Sequence, residues 1–333
     1  MKRRPLLSAL AAGLGTGLAA SAGRAAGRAP QGRPMARNGL PQPAPLRPGS
    51  RILAVNPGTW LPKDLTFMAL QQRCAAEGWR LEGLDGVLGQ WRYFSGTDST
   101  RRRQMEEAWT DPAVEAVLYV GAGWGSARVL EAGFRFPKRP RWALGFSDCS
   151  ALLLAQCAAG LGGAIHGSSG GPEQQWRRTA DLLAGRAVAD LKGRGVRPGW
   201  AEGALLVTNL TVATHLIGTP WLPSLRHTIL VLEDVEEAPY RVDRMLTQWR
   251  TSGLLDGVAG VACGRFSWTG EAEPGDFSMS EILEERLGDL GVPLVLDLPL
   301  GHGLPNQALP LGVPARLDGS QGRLSLIRQT GSS

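Results

Sequence analysis

The chain has 333 residues, 43% hydrophobic and 20% charged, which is ample for a buried core and excludes an intrinsically disordered protein. Four cysteines in this length exclude a disulfide scaffold. The net charge is +6, but eight of the 36 basic residues and none of the 30 acidic ones lie in residues 1–50. This leaves 28 basic against 30 acidic groups, a net −2, on residues 51–333, so the body of the chain is not a cationic nucleic-acid binder.

Lys2-Arg3-Arg4 opens the chain, followed by an uncharged stretch from Pro5 to Gly23 that contains the small-residue run Ala20-Ser21-Ala22. A positive start, a short apolar run and a small-residue end predict an export signal over residues 1–23, of the general or twin-arginine type, with the periplasm as destination. An uncleaved anchor and a cytoplasmic extension are the alternatives. The run barely reaches the ~20 residues a span needs, and its Gly and Ser make it weakly apolar. Residues 24–50 are rich in Pro, Gly, Arg and Ala without apolar periodicity, and read as a flexible spacer.

From Arg51 the texture alternates between short apolar runs and helical spacing. Residues 51–57 read as a buried strand ended by Asn56-Pro57-Gly58. Residues 64–78 read as a helix with apolar residues at Leu65, Met68 and Leu70, and residues 98–109 as a second helix. Strands follow at 113–120 and 142–145, then an apolar helix over 149–159. This alternation predicts a parallel α/β sheet over residues 51–170. Residues 171–202 read as a linker. The region 203–330 has a strand–helix segment at 204–216, strands at 228–232, 258–266 and 293–298, and helices at 239–253 and 280–290. It closes on a hairpin around Asp318-Gly319. The fold class is therefore α/β, an N-terminal parallel-sheet domain followed by a second, β-rich domain.

The run Gly145-Phe146-Ser147-Asp148, between a strand and the apolar helix, has the architecture of a nucleophile elbow. A small residue lets the chain turn sharply, Ser147 projects at the carboxyl end of the sheet, and the amides that open the helix can hold a developing oxyanion. Ser and Asp are also ordinary helix caps, so the tetrapeptide alone does not decide. A serine needs a base, and the chain has four histidines. His302 stands between Gly301 and Gly303 just past a predicted strand. His215 sits in an apolar segment and reads as a packed core residue, His227 begins a strand, and His166 stays open as a substrate-loop residue. The orienting acid is predicted at Glu233, at the end of the apolar strand 228–232, with Asp234 as a competitor or a helix cap. The order Ser147, Glu233, His302 is that of serine hydrolases on α/β sheets. The loop Gly121-Ala122-Gly123-Trp124-Gly125-Ser126 lacks the last glycine of a dinucleotide fingerprint. Its small residues suit a close backbone approach to Ser147. No Cys-x-x-Cys or His-Glu-x-x-His occurs, so neither a metal nor another cofactor is expected.

Taken in order, Phe94-Ser95-Gly96-Thr97, the 121–125 loop, Gly145-Phe146-Ser147-Asp148, Asn209-Leu210, residues 216–223, residues 229–234, residues 240–246 and Gly301-His302 resemble the L,D-carboxypeptidase family of serine peptidases, which includes the microcin-immunity peptidases. The resemblance covers most of residues 51–315. It implies a serine on the first domain, Glu and His on the second, and a site between them. It assigns Ser147 as nucleophile, Glu233 as orienting acid and His302 as base, with oxyanion amides from Asp148, Ala122 and Gly123. It further implies release of a terminal D-alanine from a murein tetrapeptide, and a homodimer. The alternatives are a microcin-type peptide–nucleotide immunity peptidase and a non-catalytic exported binding protein. Three departures bear on substrate preference. The family's loop usually reads Arg-Gly-Gly-Tyr-Gly, its Gly-Gly-Asn is Val207-Thr208-Asn209 here, and its His-Gly-Pro is His166-Gly167-Ser168.

Overall fold

The computed structural model describes residues 35, 38–121, 123–271 and 273–327; the expected export signal and Ala122 lie outside the described residues. In the first half, strands and helices alternate: β1 (Arg51–Val55), α1 (Met68–Ala76), β2 (Arg80–Glu82), α2 (Asp98–Thr110), β3 (Val114–Tyr119), α3 (Ser126–Glu131), β4 (Trp142–Gly145), α4 (Ser150–Ala158), β5 (Ala164–His166) and α5 (Glu173–Leu183). The second half continues with β6 (Leu191–Lys192), β7 (Arg194–Arg197), β8 (Trp200–Asn209), α6 (Leu210–His215), β9 (Thr228–Val235), α7 (Pro239–Thr251), β10 (Gly260–Ser267), α8 (Met279–Gly288), β11 (Leu294–Leu296), β12 (Leu309–Pro310), β13 (Pro314–Asp318) and β14 (Arg323–Leu326).

Two sheets result. The first has the order β12-β5-β4-β3-β1-β2 and is parallel apart from β12. Its inner strands β3, β4 and β5 are almost wholly buried, as parallel strands covered on both faces must be. The second has eight strands in the order β6-β14-β13-β8-β9-β10-β11-β7, with a parallel centre β8-β9-β10-β11 and antiparallel flanks.

The α4 sequence, Ser-Ala-Leu-Leu-Leu-Ala-Gln-Cys-Ala, has no polar face, and eight of its nine residues are buried. A helix apolar all round has to be covered all round. On one side α4 meets β4 and β5 of the first sheet, and on the other β8 and α6 of the second. One apolar cluster therefore runs through Leu152, Leu153 and Leu154 to Leu205, Val207, Leu230 and Leu232. A second cluster, with Ile52, Leu144, Ile165 and Trp176, covers the opposite face of the first sheet.

Several expectations need correction. Residues 171–202 are not a free linker. Trp176, Ala180 and Leu183 recur at helical spacing on α5 and are buried against the first sheet, while β6 and β7 belong to the second. Residues 38–50, placed in the flexible spacer, lie along the folded body as extended chain. The Leu40 N–H donates to Gly312 O at 2.7 Å, the Leu46 N–H donates to Leu183 O at 2.9 Å, and Leu46 is buried. Extended chain that pairs through its backbone needs no apolar periodicity, so the pattern gave no sign of it. Helix α1 starts at Met68 rather than Asp64, leaving Leu65 and Met68 exposed, with only Leu70 and Cys74 inward.

β12, from the last tenth of the chain, joins the first sheet beside β5. The next residues turn to the other sheet: Leu311 N–H donates to Ala164 O at 2.8 Å, Gly312 N–H to Leu205 O at 2.7 Å, and Leu205 N–H to Val313 O at 2.8 Å. This short segment ties β5 to β8. Leu311 is fully buried there. Leu311→Ala is expected to lower the unfolding free energy by about 2–5 kcal/mol. In urea titrations, fluorescence and far-UV circular dichroism should move together; a variant losing under about 1 kcal/mol would show that the tie is dispensable.

Candidate active site

Strand β4 ends at Gly145, and a single 3₁₀ turn over Ser147–Cys149 leads into α4. Ser147 adopts φ +58°, a left-handed conformation that a non-glycine residue holds only at a cost of about 1–3 kcal/mol. A Cβ at Gly145 would lie 2.7 Å from Tyr119 Cδ2 and 2.8 Å from Cys149 Cβ, so the tight turn needs glycine there. Ser147 is left half-buried at the carboxyl end of the sheet.

The second sheet meets it with β9 and the segment after β11. β9 runs on through Val235, so Glu233 lies within the strand, paired in register with Asn209, and is fully buried. His302 stands on the return from β11 to β12. Its Nδ1 lies 2.8 Å from Glu233 Oε2, its backbone N–H donates to the same oxygen at 3.3 Å, and its Nε2 lies 3.1 Å from Ser147 Oγ. Ser147, His302 and Glu233 are thus hydrogen-bonded in sequence. Gly301, at φ +103°, allows this approach, because a Cβ there would lie 3.0 Å from Glu233 Cβ. Arg265 donates to His302 O and to Leu304 O, each at 3.0 Å, and Asn306 Oδ1 accepts from Gly301 N–H at 3.1 Å. Periodicity could not reveal Arg265, which acts on backbone far from it in sequence, or Asn306, which acts within its own irregular loop.

The acidic competitor Asp234 and the neighbouring Asp148 have other tasks. Asp234 accepts from Asn209 Nδ2 at 3.0 Å, from Thr211 N and Oγ1 at 2.9 and 2.8 Å, and from its neighbour Val235 N at 2.8 Å. It caps the start of α6, not the helix after Pro239, and burial holds its carboxyl above the usual range. Asp148 is buried under the glycine loop, with its carboxyl likewise raised by burial, and accepts from Ser126 N at 2.7 Å. That bond fixes the loop against the Ser147 turn. Arg101, also buried, reinforces it by donating to Gly125 O at 2.8 Å and to Pro57 O. Cys149, two residues past Ser147, donates to Gly121 O at 3.2 Å, and burial pushes its thiol up to about 12, so it stays protonated.

A cleft of about 270 Å³ opens at Ser147, lined among others by Gly123, Trp124, Thr211, His215 and Glu237. His215 is exposed on this cleft rather than packed in the core: on a helix of six residues its position faces away from the buried Leu210 and Ala213. His166 ends β5 and is buried rather than standing in a substrate loop, with its Nε2 3.8 Å from Glu233 Oε1, and His227 is exposed at φ +62°, away from the site residues named above. Of the departures, Val207 and Thr208 are buried inside β8 and do not line the cleft, whereas Asn209 caps α6. Any side chain at Gly121 would run into that of Asn56.

Comparisons with known proteins agree with this architecture. Residues 53–167 match the family model described as the LD-carboxypeptidase N-terminal domain, and residues 202–317 match its C-terminal domain. The chain is 42% identical over 300 residues to a putative carboxypeptidase of Synechocystis, covering 86% of this chain and 97% of that protein. It is 32% identical over 299 residues to the murein tetrapeptide carboxypeptidase of Pseudomonas aeruginosa, covering 81% and 94%. Among solved structures, MccF in complex with glutamyl sulfamoyl guanosine superposes with a TM-score of 0.75 at 20% identity, covering 87% of this chain and 99% of that one, a likeness of fold.

The buried His166 gives the protein a pH signature. Burial lowers its imidazole to about 4, so the folded protein keeps it neutral where the unfolded chain, near 6.5, protonates it. Between these values the unfolded state binds more protons, and stability rises with pH by up to about 1.4 kcal/mol per unit from this group. Chemical denaturation at pH 4.5 and 6.5 should show a smaller pH difference in His166→Phe than in the wild type; equal differences would mean the imidazole is not desolvated.

Proposed function

Because the chain belongs to the LD-carboxypeptidase family, we propose that it is a serine carboxypeptidase that releases the terminal D-alanine of a murein tetrapeptide. The observation that carries the serine mechanism is the hydrogen-bonded sequence Ser147 Oγ, His302 and Glu233, at 3.1 and 2.8 Å, with Ser147 lining a cleft. The substrate reading is supported by the similarity to the murein tetrapeptide carboxypeptidase of Pseudomonas aeruginosa, whose match extends over nearly all of that protein.

In this reading Glu233 accepts from His302 Nδ1–H and so holds Nε2 as the acceptor facing Ser147. As Ser147 Oγ attacks the carbonyl that links an L-centre to D-alanine, His302 Nε2 takes the hydroxyl proton. The imidazolium that forms sits against the Glu233 carboxylate. The carbonyl oxygen becomes an anion, held by the Asp148 amide at the opening of the turn and by amides of the glycine loop at Ala122 and Gly123. The C–N bond breaks, His302 gives its proton to the leaving amine, and D-alanine departs. His302 then activates water, which hydrolyses the acyl ester and restores Ser147. The strained φ of Ser147 keeps Oγ at the mouth of the cleft instead of folded back on the helix.

For residues 1–23 we propose an export leader, tested by the N-terminus of the protein recovered from the cell envelope: an intact Met1 start in soluble periplasmic material, or its absence from the periplasm, would count against it.

The main test measures D-alanine release from murein tetrapeptide, with a peptide–nucleotide of microcin type run alongside. Ser147→Ala is expected to lower kcat by about 10⁴–10⁶-fold, and Glu233→Gln by about 10⁴-fold. Wild-type rates in Ser147→Ala would end the serine mechanism, and turnover of the peptide–nucleotide alone would reassign the substrate.

A further inference from the structure

Glu233 has two carboxylate oxygens, and the reaction above uses one of them. Oε2 takes both the ring and the backbone nitrogen of His302. Oε1 is buried and, among the described residues, has no hydrogen-bond partner. Facing it at 3.8 Å is Nε2 of His166, equally buried and equally without a partner. A bare polar atom inside a protein costs about 1–3 kcal/mol, so two complementary ones turned toward each other just beyond bonding distance need an explanation.

The fold aims this ring deliberately. His166 ends β5, in register with Gly145 of β4 on one side and Leu309 of β12 on the other. The Phe146 ring meets His166 edge-on at 5.2 Å and His302 at 4.5 Å, so one ring beside Ser147 packs against both imidazoles. Nearby on the same elements, Asp234 is engaged with Asn209 and Thr211, and Arg265 with the His302 and Leu304 carbonyls.

We propose that His166 is a positioning residue for the reaction. As a neutral imidazole protonated at Nε2, it donates to Glu233 Oε1 as the site tightens around substrate, and so locks the carboxylate in the rotation that presents Oε2 to His302. Burial keeps this ring neutral down to about pH 4, so it supplies a donor without a second positive charge to compete with the His302 imidazolium. The inference rests on the serine-carboxypeptidase reading, since it concerns the orienting acid of that mechanism.

The test combines a readout without turnover and one with it. Long-range ¹H–¹⁵N NMR of the full chain labelled at histidine is expected to find His166 protonated at Nε2 between pH 5 and 8; an Nδ1-protonated ring overturns the proposal. In D-alanine release, His166→Phe is expected to lose about 10–100-fold in kcat with KM within about twofold, and His166→Gln, whose amide can reach the same oxygen, to recover most of that loss. Folded His166→Phe with wild-type kcat, or equal losses in both variants, overturns the proposal by leaving His166 a packing role only. Retained activity in Ser147→Ala would instead fault the parent mechanism, while the NMR result would still report on the His166–Glu233 contact.

Discussion

A carboxylate with no exposed surface is the constraint on which this molecule turns. Glu233 sits inside the central strands of the second sheet, where each carboxylate oxygen left without a donor is costly. His302 meets one of the two oxygens twice, through its ring and its backbone, and this requires the glycine at 301 and the carbonyl grip of Arg265. The imidazole therefore cannot be moved without uncovering a buried charge. Its orientation toward Ser147 follows from the electrostatics of the core rather than from the surface of the cleft.

The other half of the arrangement comes from the first sheet. Ser147 is held in a strained turn by what surrounds it: Gly145 packed against Tyr119, Asp148 bonded to the glycine loop, and α4 buried between the sheets. Because α4 is apolar on every side, it needs both sheets to cover it, and the same packing that satisfies it brings the carboxyl ends of β4 and β9 together. The segment from β12 to Val313, bonded to β5 and then to β8, closes the remaining side. Stability and site geometry thus depend on the same contacts.

The departures from the family pattern divide by location. Val207 and Thr208 fill the interior of β8, so they bear on packing, while Gly121 leaves its space to the Asn56 side chain, which is bonded within its own loop. Residues that face the cleft directly, Trp124, His215 and Glu237, are the ones whose chemistry a substrate would meet. Trp124 and His215 are well exposed there, and the sequence hides this for His215 because a short helix in an apolar stretch does not announce which face it buries.

By itself the sequence determined the alternation of strand and helix, the Gly-x-Ser turn, and the candidates Ser147, Glu233 and His302. Each of these is written locally, in apolar runs, in glycines at sharp turns, and in polar residues at strand ends. It also displayed α5, in the spacing of Trp176, Ala180 and Leu183, where the surrounding Gly and Pro drew the reading toward a linker. Only the tertiary structure decided that Glu233, not Asp234, meets the imidazole, because neighbouring residues on a strand point to opposite faces and the choice depends on which face the second sheet turns to His302. Only the tertiary structure likewise put His166 beside Glu233 and carried β12 back to the first sheet, since contacts between residues 67 or more positions apart are set by how the sheets pack around α4 and leave no periodic trace along the chain.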